Sequence, residues 1–313
     1  MRAFIFPGQG AQTVGMGQAL AEAYPAAKAV FDEVDAALGT ALSKIVWEGP
    51  EDALTLTENA QPALMATSIA ALRALEAEGV TLAGSAGFVA GHSLGEYSAL
   101  TAAGSLTLAD AARLLKLRGQ AMQAATPVGT GAMAALLGLD YEKAAVVAAE
   151  AAEGECCQAA NDNDPAQVVV SGHRAAVERA VMIAKEHGAR RAVLLPVSAP
   201  FHCALMQPAA EAMAEALAAT EIRAPAVPLV ANVSAGAETD PDRIRALLVE
   251  QVTHRVRWRE SVLAMAAAGV DETVEIGAGK ALSGMVRRID KKIAASNVGT
   301  PDEVRKLAEA LAG

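Results

Sequence analysis

Apolar and polar positions along this chain fall into blocks whose period changes. A short apolar run at 2–6 reads as a buried first strand and stops at Pro7-Gly8-Gln9-Gly10-Ala11-Gln12. A helix is expected from about Met16 through Ala27, and helical patterns then alternate with loops to Gly79, including one over Ala63 to Glu78. Gly87-Phe88-Val89-Ala90 reads as a strand running into Gly91, and Glu96 to Ala103 as a helix running out of Gly95. A helical period returns from Thr107 to about Ala124, with Leu108, Ala111, Leu115 and Met122 on one stripe. Arg118 falls on that same stripe, where a guanidinium must either snorkel to water, the commoner outcome, or meet an anion.

Past Pro127-Val128-Gly129-Thr130-Gly131 the rhythm shortens. Strands are predicted at Ala132–Leu139, Glu155–Ala160, Gln167–Ser171 and Arg191–Val197, with helices at Tyr141–Ala152 and Ala175–His187. The order β-α-β-β-α-β describes a split unit of the ferredoxin-like type, placed as an inserted small domain at 130–197. Residues 1–129 and 198–313 then form one discontinuous α/β domain on a mainly parallel sheet. Its second part is read as a helix at Ala209–Ala219, a strand at Val227–Val233, helices at Asp242–Val252 and Ser261–Ala268, and a strand at Thr273–Ile276. Gly277-Ala278-Gly279-Lys280 leads into a helix to Ile289, and a strand at Ile293–Val298 and a closing helix from Pro301 follow.

Composition narrows the classes. The chain has 313 residues, 53% apolar and 20% charged, with a net charge of −10, which fits an ordinary globular protein and disfavours nucleic acid as a partner. No apolar run reaches the roughly 20 residues of a membrane span, and 1–6 is too short for a signal peptide, so a cytoplasmic protein with no membrane partner is expected. Cys156, Cys157 and Cys203 have no metal spacing, so no metal site is expected. The neighbouring pair Cys156 and Cys157 reads as small core residues in a reducing compartment.

The chemistry gathers at Gly91-His92-Ser93-Leu94-Gly95-Glu96. Gly-x-Ser-x-Gly between a strand and a helix describes a nucleophile elbow, which makes the large domain α/β-hydrolase-like; it also describes a glycine-rich turn with a capping serine. In the elbow reading, the Leu94 amide and the helix start could hold an oxyanion. A serine needs a base, and His202, in Ser198-Ala199-Pro200-Phe201-His202-Cys203, lies on a loop where the chain returns to the large domain. His92 belongs to the elbow, His173 and His187 to the small domain, and His254 to the basic run Arg255–Arg259, read as solvated surface. None of Asp110, Asp140, Asp162 or Asp164 recommends itself as a third member, so a backbone carbonyl or an amide is expected to orient the base. The Gln9 turn is neither a dinucleotide fingerprint, since Thr13 stands at the third glycine position, nor a phosphate loop.

Together these segments resemble the malonyl-CoA:acyl-carrier-protein transacylases over essentially the full length. The match rests on Phe6-Pro-Gly-Gln-Gly10, Gly91 to Glu96, the Arg118 helix, Pro200-Phe201-His202, Gln251 and Glu275-Ile-Gly-Ala-Gly-Lys280. The resemblance implies a ping-pong acyltransferase of fatty acid biosynthesis that takes malonyl-CoA and holo acyl carrier protein. Its substrate is the CoA thioester, with no bound cofactor. It implies Ser93 as nucleophile, His202 as base and acid, and Gln251 as the residue whose carbonyl steadies the histidine. Gln9 and Leu94 would be oxyanion donors, Arg118 the grip on the malonyl carboxylate, and Phe201 a bulky residue that disfavours an α-methyl branch. A serine hydrolase or thioesterase on the same Ser-His pair is the alternative, and a non-catalytic carrier-binding protein a third reading. Ala278 replaces the usual proline of its turn, and Cys203 stands where serine is frequent, which raises a Cys-His pairing. An acidic carrier needs a local basic patch, for which Arg190, Arg191, Arg287, Arg288, Lys291 and Lys292 are candidates.

Overall fold

The computed structural model describes residues 1–312, and it is a mixed α/β structure with one largely parallel sheet and a separate antiparallel one. The strands in chain order are β1 (Arg2–Phe6), β2 (Phe88–Gly91), β3 (Gly131–Leu137), β4 (Cys157–Asp164), β5 (Gln167–His173), β6 (Arg191–Leu194), β7 (Leu229–Val230), β8 (Ala237–Glu238), β9 (Glu272–Ile276) and β10 (Ala294–Val298). The large sheet has the order β10-β9-β1-β2-β7-β8, parallel throughout except for the β7–β8 pair. Continuous burial of Ala3, Phe4, Ile5 and Phe6 explains why β1 reads as an unbroken apolar run: helices cover both faces. From β1 the chain builds β2, β7 and β8 on one side, then β9 and β10 on the other. The crevice at the carboxyl ends of these central strands is the expected ligand position for such a sheet.

The second sheet, β4-β5-β3-β6, is antiparallel and carries its own apolar core, with Leu136, Val147, Val168, Val170, Val177 and Ala180 buried together. It hangs between the helix Leu108–Ala124 and the 204–206 turn that opens the helix Gln207–Ala218. One edge is fastened to the start of the helix Trp258–Ala267 and to the helix Ala281–Ile289. The Asp162 amide donates to Val256 O at 2.9 Å and the Val256 amide to Ala160 O at 2.8 Å, while Asp162 pairs with Arg259 at 2.9 Å and Asp164 with Arg288 at 2.7 Å. No helix among the described residues is long and apolar enough to cross a membrane.

Several sequence expectations shift. The helix expected at Met16–Ala27 is two helices, Gln18–Ala23 and Pro25–Leu38, because Pro25 holds Tyr24 in an extended conformation. The helix expected from Ala63 begins at Thr57, with Pro62 accommodated in its second turn. The strand expected at Val227–Val233 shrinks to Leu229–Val230, since Asn232 leaves the ladder to serve the elbow. The basic run 255–259 is not solvated surface. Trp258 is fully buried at the start of the helix Trp258–Ala267, Arg255 lies over the Tyr141 ring at 3.8 Å, and Arg257 and Arg259 are ion-paired. Cys157 is core, as read, but Cys156 is only half-buried.

Candidate active site

Ser93 stands between β2 and the helix Gly95–Ala102 with φ of +54°, a left-handed backbone that a non-glycine residue adopts only when its surroundings enforce it. The two flanking glycines do the enforcing. A Cβ on Gly91 would lie 1.9 Å from the Gly95 carbonyl, and one on Gly95 would lie 2.3 Å from Phe6 O, so no larger residue permits the turn. Asn232 closes the bend from outside: its Oδ1 accepts the Ser93 amide at 2.8 Å and its Nδ2 donates to Gly91 O at 2.7 Å.

The hydroxyl that this bend presents lies 2.7 Å from His202 Nε2. His202 Nδ1 lies 2.9 Å from the backbone oxygen of Gln251, which can only accept, so Nδ1 carries the proton and Nε2 is free to receive one from Ser93. Burial, and then the Arg118 cation, lower the His202 imidazole to about 3, so the ring is neutral at pH 7. His202 also has a positive φ, +58°, and is 4% exposed. Cys203 next to it turns away from Ser93 and donates to Pro200 O at 3.2 Å.

Arg118 is 1% exposed, so it does not snorkel. Nη1 donates to Gln61 Oε1 at 2.6 Å, Nη2 to Gln251 Oε1 at 2.8 Å, and Nη2 also reaches Ser93 Oγ at 3.2 Å. Every one of these acceptors is neutral, and burial lowers the guanidinium below its ordinary value. The two amides are held with their oxygens toward the arginine. Gln61 Nε2 donates to Thr57 Oγ1, which donates to Gln9 Oε1, and Gln251 Nε2 donates to Ser93 O and to Glu96 Oε2. Glu96 is fully buried, its Oε1 has no partner among the described residues, and burial raises its carboxyl to about 7 against the pull of Gln251, Asn232 and Arg118. The Tyr97 ring lies 5.7 Å from the Arg118 guanidinium.

These groups open into one cavity of about 540 Å³, a size within the usual range of small-molecule pockets. Gln9, Ser93, Leu94, Arg118, Phe201 and His202 all line it. Neither the Gln9 nor the Leu94 amide nitrogen has a hydrogen-bond partner among the described residues, so both donors are available to a developing oxyanion. The small sheet supplies the facing wall through Met133, Ala135, Asn161, Asn163 and Val169. Asn163 also fixes the elbow, with Oδ1 2.8 Å from His92 Nε2. Of the basic candidates, Arg288 is committed to Asp164 and Arg287 to Ala295 O, while Arg190, Arg191, Lys291 and Lys292 are exposed. Sequence reasoning missed Gln61, Glu96, Asn163 and Asn232 as site residues. The one available signal was polar side chains inside otherwise apolar helices, as with Gln61 and Glu96.

Residues 3–300 match the family model of the acyl transferase domain. The malonyl CoA-acyl carrier protein transacylase of Bacillus subtilis (strain 168) is 47% identical over 310 residues, covering 99% of this chain and 96% of that protein. A crystal structure of an acyl-carrier-protein-S-malonyltransferase from Bartonella henselae superimposes with a TM-score of 0.97 at 56% identity, covering 100% of this chain and 99% of the other. A malonyl-transacylase in complex with its holo type II PKS acyl-carrier protein superimposes with a TM-score of 0.96 at 42% identity, each chain covered to 99%.

Proposed function

The chain belongs to the acyl transferase family, and from that premise we propose that it carries a malonyl group from malonyl-CoA to the phosphopantetheine thiol of holo acyl carrier protein, for fatty acid biosynthesis. Ser93 Oγ attacks the thioester carbonyl while His202 Nε2 takes its proton. The Gln9 and Leu94 amides receive the oxyanion, the C–S bond breaks, and His202 returns the proton to the departing CoA thiolate. In the second half the carrier thiol passes its proton to His202 and attacks the malonyl-Ser93 ester, whose alkoxide then takes the proton back. The Gln251 carbonyl steadies the imidazolium in both halves, in the place an acid occupies in a Ser-His-Asp triad.

One observation carries the malonyl reading: Arg118, buried and bonded only to neutral oxygens, sits 3.2 Å from the nucleophile. A carboxylate two carbons beyond a Ser93-bound carbonyl meets it in bidentate fashion. Phe201, 8% exposed on the cavity wall, crowds the α-carbon and disfavours a methyl branch there. We read the large sheet with its elbow as hydrolase-like and the small sheet as ferredoxin-like, and place the enzyme in the cytoplasm with no resident cofactor. Malonyl-CoA incubated with Ser93→Ala should leave no adduct in the intact-protein mass spectrum. A malonyl mass retained on that variant would overturn the assignment.

A further inference from the structure

The corner behind His202 holds chemistry that acyl transfer does not use. Cys203 follows the base directly and is fully buried, whereas Cys156, in the turn before β4, is half-buried. The Cys156 sulfur shares a hydrogen-bonding partner with the residue that follows Cys203, which sets both thiols at one corner. Gln158 ties the same corner together, since its Oε1 accepts from Cys156 Sγ at 3.5 Å and from the Ala204 amide at 2.7 Å. The Ala204 and Leu205 amides add to the positive surroundings of the Cys156 sulfur, and His173 lies beside it, with Nδ1 accepting the Cys156 amide at 2.9 Å. The Cys203 thiol first, and then these amides, lower the Cys156 thiol toward the thiolate that reacts with oxidants. Cys157 is a built-in contrast: it points into the small-sheet core, where burial pushes its thiol up to about 11.

We propose that Cys156 and Cys203 form a dithiol modification site that a hydroperoxide converts to a disulfide, acting on the catalytic base through the peptide bond between Cys203 and His202. The Cys156 thiolate attacks one peroxide oxygen and the O–O bond breaks, leaving a sulfenic acid and hydroxide. Cys203 Sγ then attacks that sulfur, its proton leaves with the sulfenic oxygen as water, and the S–S bond closes. Both sulfurs are oxidised, and hydrogen peroxide is reduced to two waters once the hydroxide takes up the proton that the Cys156 thiol gave up. Closure draws the sulfurs to about 2.05 Å and takes Cys203 from Pro200 O. The adjoining His202, held in a left-handed backbone, moves with it.

The effect on rate rests on the transferase reading, but the bond itself does not. The full-length reduced protein is treated with hydrogen peroxide, and its peptides and malonyl transfer are followed together. The expected result is a cross-link joining the Cys156 and Cys203 peptides, lighter by two hydrogens. Transfer should fall about tenfold or more, as a displaced base implies, and return with a thiol reductant. Cys156→Ser should keep its reduced-state activity and become resistant to peroxide, and Cys203→Ser should trap a sulfenic acid on Cys156 that dimedone labels. A Cys156–Cys157 bond, oxidation confined to Cys203, or a cross-linked protein with unchanged transfer would overturn the proposal. A reduced protein that moves no malonyl group fails the transferase reading instead.

Discussion

Arg118 and Arg259 are both held by side chains from distant parts of the chain, yet their surroundings differ in sign. Arg259 meets the fully buried carboxylate of Asp162 at 2.9 Å, and its charge is neutralised where the small sheet joins the helix Trp258–Ala267. Arg118 meets amide oxygens and a hydroxyl, and Glu96 is separated from it by the Gln251 amide. Burial raises the Asp162 carboxyl more than Arg259 lowers it, so that pair fixes geometry more than it adds stability. An arginine whose direct acceptors are all neutral instead keeps a buried charge with no anion bonded to it, a place that an arriving carboxylate could take. A buried cation is therefore read as ligand-binding or structural from the charge of its partners more than from its burial.

Each prediction breaks that contrast at a different point. Arg118→Ala removes two charge-assisted bonds to malonate, each worth about 1.5–3 kcal/mol, so kcat/KM for malonyl-CoA should fall by roughly 10²- to 10⁴-fold. Acetyl transfer should fall far less, and an equal loss for both acyl groups would remove the carboxylate grip from the mechanism. Gln61→Glu makes Arg118 resemble Arg259, because a carboxylate replaces the amide at 2.6 Å. Malonyl selectivity over acetyl should drop by about 10- to 100-fold in a folded protein, one lost charge-assisted interaction's worth. Unchanged selectivity would mean that partner charge does not matter there.

Arg259→Gln reverses the pattern: it strands Asp162 and should lower unfolding stability by about 2–4 kcal/mol in urea, with the malonyl-to-acetyl ratio intact. A changed ratio would tie that ion pair to catalysis. The smallest effect concerns pH. His202 is lowered to about 3, and the neutral ring is the active form, so kcat/KM should stay flat from pH 7 to pH 6, where an ordinary imidazole of about 6.5 would be titrating. Arg118→Met should bring the acid limb upward toward the usual imidazole range. Stability behaves differently: the unfolded imidazole binds a proton below about 6.5 that the folded one refuses, so His202 destabilises the fold as pH falls from there toward 3. Glu96 has the opposite sense, since its raised carboxyl contributes stability at low pH that is lost as pH rises through about 7. Unfolding midpoints measured alongside the rates separate these contributions from the chemistry.

The features legible in the sequence were those written in local pattern. Glycines at 91 and 95 fix the elbow because only they fit, and the stripe of the Leu108–Ala124 helix put Arg118 on the buried face. Snorkelling, the commoner fate for that stripe, failed because Gln61 and Gln251 wait on other helices, and no periodicity announces a partner 57 or 133 residues away. Asn232 was hidden inside an apolar run that looked like strand, and the run Arg255–Arg259 looked like surface because its anions lie on β4 and at Glu260. Pattern predicts what a segment buries. Polar networks depend on tertiary approach, and the members here come from stretches far apart in the chain.

The 3.2 Å between Arg118 and Ser93 has a consequence beyond binding. The cation that on the proposed reading grips the malonyl carboxylate also adds to burial in lowering the basicity of His202. On that reading a malonyl carboxylate would neutralise the cation and strengthen the base as the reaction begins, whereas an acetyl group would leave the imidazole weakened. One charge would then discriminate twice, once in holding the acyl group and again in the readiness to deprotonate the nucleophile that takes it.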